Sequence, residues 1–419
     1  MSVRTALGFS RNLMALVSIA AASARVAAQT PSSISRLTIG EAVRIALGRN
    51  PDVVIAQLRV DSARGDRRAV GAPANPSLNV IPGNPTQYTV SEPVDLFARH
   101  YRVASGQQGV AAAQLDRADA ARQVTFGVRL AFLDLLLADS LRTVAGEQTD
   151  VLRQLLFADS VRLRIGDVAE SDVVTTELAY AHAEAARTRA AASVRAARIA
   201  LQALLGATHL DTSLAVEGEL SLRSVAAADS LQLAPLQTAA LEQRPDVAAA
   251  AVRVRQSAAL VSLARASLAP LPIVGLSWQP ATPFGSGSHF APAVGVQLPL
   301  LYQFGGERAR ANAGLAAARV NAARARLQAE SDAATALDAL RSSGLLARRY
   351  DSGLLVKARR SVETARYAYG HGALSLLDLL NAIRGYADTR ADYQTALHDY
   401  WAAAYAIDRA VGRDVLQQP

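Results

Sequence analysis

The chain has no cysteine, and Lys357 is the single lysine among its 44 basic residues. Without cysteine there is no disulfide framework, no thiolate metal site and no N-terminal Cys to carry a lipid. Aromatic residues make up only 5% of the 419. That is too few large side chains for a thick globular core, whereas abundant alanine suits thin, closely packed helix pairs. Proline is missing from two long stretches, between Pro93 and Pro235 and between Pro299 and Pro419. Because proline ends or kinks helices, such gaps permit very long ones. Basic tracts with interleaved aromatics are absent, and the net charge of +8 falls to +5 (8 − 3) once Arg4, Arg11 and Arg25 of an expected leader are set aside. Nucleic-acid binding is therefore a poor reading. The histidines, His100, His182, His209, His289, His371 and His398, lack the close spacing of metal ligands. With no phosphate loop, zinc-protease motif or nucleophile elbow either, the expectation is a protein that is not an enzyme and needs no cofactor.

What is present begins with a leader. Arg4 and Arg11 form a basic region, Leu13 to Ala22 a short apolar one, and Val26-Ala27-Ala28 a small-residue cleavage site. Beyond it no stretch approaches the roughly 18 consecutive apolar residues of a transmembrane helix. The expectation is an exported chain without a helical anchor.

The body of the chain is written twice. Pro51-Asp52-Val53 and Pro76 recur as Pro245-Asp246-Val247 and Pro270, 25 residues separating the prolines each time (76 − 51 and 270 − 245). Gly166, Asp172 and Gly206 recur as Gly372, Asp378 and Gly412, with steps of 6 and 34 in both. A period of about 200 residues is far too long for a solenoid unit, so it indicates duplicated halves. Within the first proline gap Val124, Val128, Ala131, Leu135 and Ala138 step by 4 and 3, the spacing of a coiled-coil seam. Val320, Ala323, Leu327, Ala334 and Leu337 fit the same frame in the second. Segments from Ala98 to Ile165 and from Gly305 to His371 predict helical rods of about 100 Å. The rod glycines allow bends. Returning helices run from Ala169 to Leu205 and from Leu374 to Val411, ending at Gly206 and Gly412 where a C-cap glycine belongs.

Ahead of each rod the texture changes. Val274, Leu276 and Trp278 alternate with Ile273, Gly275 and Ser277, and Phe290, Pro292, Val294, Val296 and Leu298 alternate with smaller or polar residues. Gln279 to His289 reads as the hairpin loop between them. Tyr88, Val90, Val94 and Leu96 give a weaker version in the first half. Alternation over about 10 residues suits a transmembrane barrel strand and equally a soluble sandwich strand. Two hairpins supply four strands, and four cannot close a membrane barrel. If they span a membrane, several copies must share one barrel.

The pattern resembles the TolC-type outer-membrane efflux proteins. The resemblance rests on Leu37-Thr38-Ile39-Gly40-Glu41-Ala42 with Asn50-Pro51, on Pro76 at the start of the first strand, on the turns at Gly166 and Gly372, and on the duplication. It implies a mainly α fold with a β portion: a long α-helical coiled-coil barrel below a transmembrane β-barrel that a homotrimer completes with four strands per chain. The implied layout is a signal peptide at 1–28, N-terminal helices at 29–75, a first barrel hairpin at 76–97 and a first long helical hairpin at 98–206. An equatorial linker at 207–244, a repeat helix at 245–269, a second barrel hairpin at 270–304, a second helical hairpin at 305–412 and a tail at 413–419 follow. The implied function is a passive exit duct in the outer membrane of a Gram-negative type bacterium. Its implied partners are a periplasmic adaptor, an inner-membrane efflux pump of the proton-driven RND type and outer-membrane lipid. Gly166 and Gly372 match the tip turns that contact the adaptor. Asp172, Tyr369 and Ser171 match positions of a periplasmic gate, and Asp378 matches an acidic ring in the lumen. The basic gate position two residues after the second glycine is Leu374, and the second ring acid is replaced by Asn381.

Plainer readings stand beside these. Asp172 and Asp378 suit the first turn of a helix, where the dipole favours acids, and Tyr369 suits ordinary packing. An exported coiled-coil adaptor or scaffold, or an exit duct for type I protein secretion, are the alternative functions.

Overall fold

Thr38 opens the first helix with a reciprocal cap: its hydroxyl accepts the Glu41 N–H while Glu41 accepts the Thr38 N–H. The computed structural model describes residues 36–415 apart from 212, 223–229, 282–284 and 286. The expected leader at 1–28 lies outside the described residues. Helix α1 spans Ile39–Arg49 and α2 spans Pro51–Gly71, joined at Asn50, whose side chain caps α2 while Pro51 takes the first helical position. Strands β1 (Ser77–Ile81) and β2 (Gln87–Pro93) lead into α3, a continuous helix from Arg99 to Arg164. At 66 residues it is about 100 Å long. Its internal glycines do not break it.

Helix α4 (Glu170–Leu204) returns along α3, and α5 (Leu233–Gln243) and α6 (Pro245–Ala266) start the second half. Strands β3 (Leu271–Gln279) and β4 (His289–Gln297) precede the second rod, α7 (Gly305–Arg349) and α8 (Leu355–Gly370), after which α9 (Leu376–Val411) returns. A π-helical turn at Tyr350–Leu354 joins α7 to α8. It absorbs an extra residue. Before it, buried positions of the two rods correspond at a shift of 205, as in Val128 with Ala333, Phe132 with Leu337 and Leu135 with Leu340; past it, Gly166 corresponds to Gly372 at 206.

The four strands form one antiparallel sheet in the order β1-β2-β3-β4. Its register aligns Val80, Tyr88, Trp278 and Phe290 in one row, and Leu78, Val90, Leu276 and Pro292 in the next. These apolar rows share one face. Asn79, Thr89 and Ser277 with Ala291, and Ser91 and Gly275 with Ala293, form rows of the opposite, small and polar face. The apolar face is bare: Leu78, Val90, Val294 and Phe290 are all exposed. Val94, Leu96 and Leu298, expected to continue the alternation, lie just beyond the strand ends.

The first-half seam is buried as expected, from Val124 through Val128, Ala131 and Leu135 to Ala138. The second-half seam is not continuous. Leu337 is buried, but Val320 and Leu327 are each 68% exposed and Ala323 is exposed beside them. In that stretch α7 packs on α6 through another face, and nothing among the described residues covers this one. A second expectation also changes: α6 is long and apolar enough to cross a membrane by length and composition. It instead packs between α3 and α7.

The duplication is conformational as well as sequential. Gly166, Gly206, Gly372 and Gly412 all have positive φ, from 69° to 87°. Gly206 fits against the end of α1, where an added Cβ would lie 2.5 Å from the Arg49 carbonyl oxygen; Gly412 fits against the end of α5 in the same way, 3.2 Å from that of Gln243. Around this waist lies the largest buried cluster, with Leu337, Leu340, Tyr400, Trp401 and Ile407 at its heart. The buried Arg129 links α3 to Asp408 of α9 at 3.1 Å and to Asp414 at 2.9 Å, and lies over the Tyr405 ring.

Candidate functional site

The two hairpin tips sit together at the end of the rods farthest from the sheet. Each rod ends in the same hydrogen-bonded turn. Gly166 N–H donates to Leu163 and Asp167 N–H to Arg162; Gly372 N–H donates to Tyr369 and Ala373 N–H to Ala368. A small apolar cluster containing Leu152, Ala183, Val362, Ala365, Leu379 and Ile383 holds the two hairpins side by side.

Within this tip one polar cluster crosses from hairpin to hairpin. Asp159 of α3 is fully buried, at 0% exposure. Its carboxylate accepts the Tyr369 hydroxyl of α8 at 2.9 Å on one oxygen and the Thr176 hydroxyl of α4 at 2.9 Å on the other. Arg162 lies over the Tyr369 ring, 5.3 Å from its centroid, and is itself held by Asp167 at 2.6 Å. Burial, and then the bond to Asp159, push the Tyr369 phenol up to about 12. It therefore stays a donor across the physiological range. The bond to Asp167 raises Arg162 further above its already high value.

No family model matches the chain. In sequence it is similar to the cobalt-zinc-cadmium resistance protein CzcC of Cupriavidus metallidurans, 25% identical over 393 residues that cover 90% of each chain. In structure it is similar to CusC, a protein whose conformational changes accompany folding and transmembrane channel formation, with a TM-score of 0.76, 20% identity and coverage of 90% of this chain and 92% of the other. It is equally similar to the outer membrane protein VceC of Vibrio cholerae, with a TM-score of 0.76, 17% identity and coverage of 90% and 97%. The CmeC outer membrane channel of Campylobacter jejuni follows at a TM-score of 0.74, 16% identity and coverage of 89% and 85%. The chain shares the fold of these outer-membrane channel proteins.

Gly166 and Gly372 occupy the tip turns, both exposed. Tyr369 is half-buried between the hairpins, and its partner within the chain is Asp159 rather than Asp172. Asp172 is half-buried near the start of α4, where its carbonyl accepts the Thr176 hydroxyl at 3.1 Å and its charge adds to the field on Tyr369. Ser171 is exposed beside it, its carbonyl accepting from Thr175. Asp378 is exposed in the first turn of α9, where the Ser375 hydroxyl donates to its carboxylate at 2.6 Å and accepts its N–H at 3.2 Å. It completes a helix cap and still faces solvent.

Asp159, Thr176 and Arg162 were not singled out from the sequence. A pointer to Asp159 was there: continuing the 4-and-3 seam of α3 beyond Ala138 leads through Thr149, Leu152 and Leu156 to position 159. A carboxylate at a coiled-coil core position needs a buried donor. Its partners come from two other helices, 17 and 210 residues away, so spacing could not name them.

Proposed function

We propose that three copies of this chain form the outer-membrane exit duct of a tripartite efflux system. A periplasmic adaptor and a proton-driven inner-membrane pump of the RND type deliver the cargo, and the duct conducts it passively to the exterior. One observation carries the reading: a four-stranded sheet with a bare apolar face and two unpaired edges, β1 and β4, mounted on rods of about 100 Å. A bare apolar face suits lipid, and open edges in lipid demand further strands. Three copies supply twelve, enough to close a barrel. The opposite small and polar face then lines the pore.

In this duct the tips gate the periplasmic end. Tyr369, with Asp159 behind it, clamps the two hairpins of one chain, and Asp172 and Ser171 stand beside it on the first turn of α4. The turns at Gly166 and Gly372 are the adaptor contact. Asp378, exposed in the first turn of α9, contributes one carboxylate from each copy to a lumen ring that favours cations. CzcC is by name a cobalt-zinc-cadmium resistance protein, and that likeness makes divalent metal cations the cargo to test first.

The test is membrane fractionation followed by planar-bilayer recording of the purified protein. The duct reading expects an outer-membrane trimer whose migration on gels changes on heating, and discrete single-channel currents. Recovery of the chain as a soluble periplasmic monomer sinks it and returns the adaptor reading. Cobalt, zinc and cadmium tolerance of a strain lacking its own duct, with and without this chain, tests the cargo.

A further inference from the structure

The four segments that join helices to strands meet around one cavity at the base of the sheet. Pro73 before β1, Leu96 after β2, Pro270 before β3 and Leu300 after β4 all line it, and it encloses about 920 Å³. That lies in the upper part of the range of about 300–1,000 Å³ for ligand pockets.

The two segments that leave the sheet share one turn. Leu96 N–H donates to the Val94 carbonyl at 3.0 Å, and Leu300 N–H to the Leu298 carbonyl at 2.9 Å. Around these turns Leu96, Phe97, Leu298, Leu300 and Leu301 are all exposed. They continue the bare apolar face of β4, where Val294 and Val296 are exposed above them. Phe304, also in the lining, has a left-handed backbone with φ of 51°, which among the described residues only glycines share. That conformation is strained for a bulky side chain, and such strain gathers at ligand sites.

The charged part of the lining is not self-compensated. Asp95 and Arg102 pair at 2.6 Å and cancel. Arg99 gives one N–H to the Gly71 carbonyl at 2.9 Å and has no carboxylate partner among the described residues. Glu92, at the base of β2, forms no ion pair among them either. The cavity therefore sets one uncompensated guanidinium and one uncompensated carboxylate among exposed apolar side chains. A ligand that answers all three features carries apolar chains, a phosphate and an ammonium group. Guanidinium takes phosphate through two parallel hydrogen bonds, which a lysine cannot make. We propose that the cavity binds one zwitterionic phospholipid of the bilayer. Its phosphate sits on Arg99, its ammonium on Glu92, and its acyl chains run against Leu298, Leu300 and Phe304. The site rests on the duct reading only in needing the sheet to lie in a bilayer.

The test uses the full-length trimer, passed through nanodiscs of mixed phosphatidylethanolamine and phosphatidylglycerol and then washed extensively in detergent. Native mass spectrometry should find one phospholipid retained per copy, with the ethanolamine lipid in excess. Arg99→Gln should lower retention about tenfold, the scale of a hydrogen bond to a charged group. Glu92→Gln should reduce the ethanolamine lipid to the level of the glycerol one. Arg68→Gln, on α2 outside the cavity, should change neither. If a variant fails to assemble, the headgroup preference of the wild-type trimer decides by itself. Wild-type trimers that keep no phospholipid, as when a neighbouring copy fills the cavity, overturn the site and leave the duct intact. Retention without headgroup preference, or equal retention by Arg99→Gln, is general lipid coating and overturns it too. A soluble monomer overturns the duct reading and the site with it.

Discussion

The tip clamp gives the sharpest quantitative expectation. Tyr369→Phe removes one hydroxyl and leaves the ring, so packing is nearly unchanged while Asp159, fully buried, keeps only Thr176. A hydrogen bond to a charged group contributes about 1.5–3 kcal/mol. Since about 1.4 kcal/mol is a factor of ten, the equilibrium between clamped and separated hairpins should move roughly 10–100-fold toward separation. Thr176→Val is the matched control, because that bond joins α4 to α3 inside one hairpin and leaves the tie to α8 in place. In planar bilayers Tyr369→Phe should raise the open fraction or the single-channel conductance, and Thr176→Val should do so much less. The phenol's raised pKa of about 12 fixes the pH behaviour. A group whose folded-state pKa is raised contributes fully below its ordinary value, near 10 for tyrosine, and loses that contribution as pH rises through the folded value. The wild-type closed state should therefore be insensitive to pH between about 6 and 9 as far as this group is concerned. An open fraction unchanged in Tyr369→Phe refutes the clamp.

Three further outcomes follow from particular contacts. Asp378→Asn should lower the cation-over-anion permeability ratio and weaken block by trivalent cations, at a helix-capping cost below about 1 kcal/mol; an unaltered reversal potential in a salt gradient would remove Asp378 from the lumen. Arg129→Met removes the cation that pairs with the buried Asp408 carboxylate, which keeps the Val415 N–H; breaking the buried ion pair should cost about 3–5 kcal/mol and lower the thermal midpoint in detergent, with Asp408→Asn on top recovering part of the loss. For His398 burial opposes the charge, but the carboxylates of Asp134 at 2.8 Å and Asp399 at 3.1 Å outweigh it and raise the pKa. That stabilisation is complete below the ordinary histidine value near 6.5 and fades as pH climbs through the raised one, so His398→Gln should flatten the midpoint's pH dependence across that window.

Much of the fold was legible because it depends on local rules repeated over long distances. Proline-free stretches, a seam at 4 and 3, and glycines at fixed steps are enough to specify rods, their reversal points and their duplication. All four frame glycines adopt positive φ, a demand that each turn makes of its own residue whatever surrounds it. The strand alternation likewise placed Trp278 and Phe290 on one face, since side-chain direction in a strand has period 2. The candidate site was less legible. Tyr369 was visible, but its partner Asp159 was hidden, because a hydrogen bond between helices 210 residues apart leaves no trace in spacing.

The sequence by itself determined what each segment is: a helix of 66 residues, a strand, a turn. It also determined that there are two copies of the set. Tertiary structure alone decided which face of a periodic helix is inside. Val128 and Val320 both sit on regular apolar stripes, yet the first is fully buried and the second 68% exposed. Periodicity states that a stripe must be covered, and only the packing of neighbouring helices states by what. For Val128 the cover lies within the chain; for Val320 no described part of the chain supplies it.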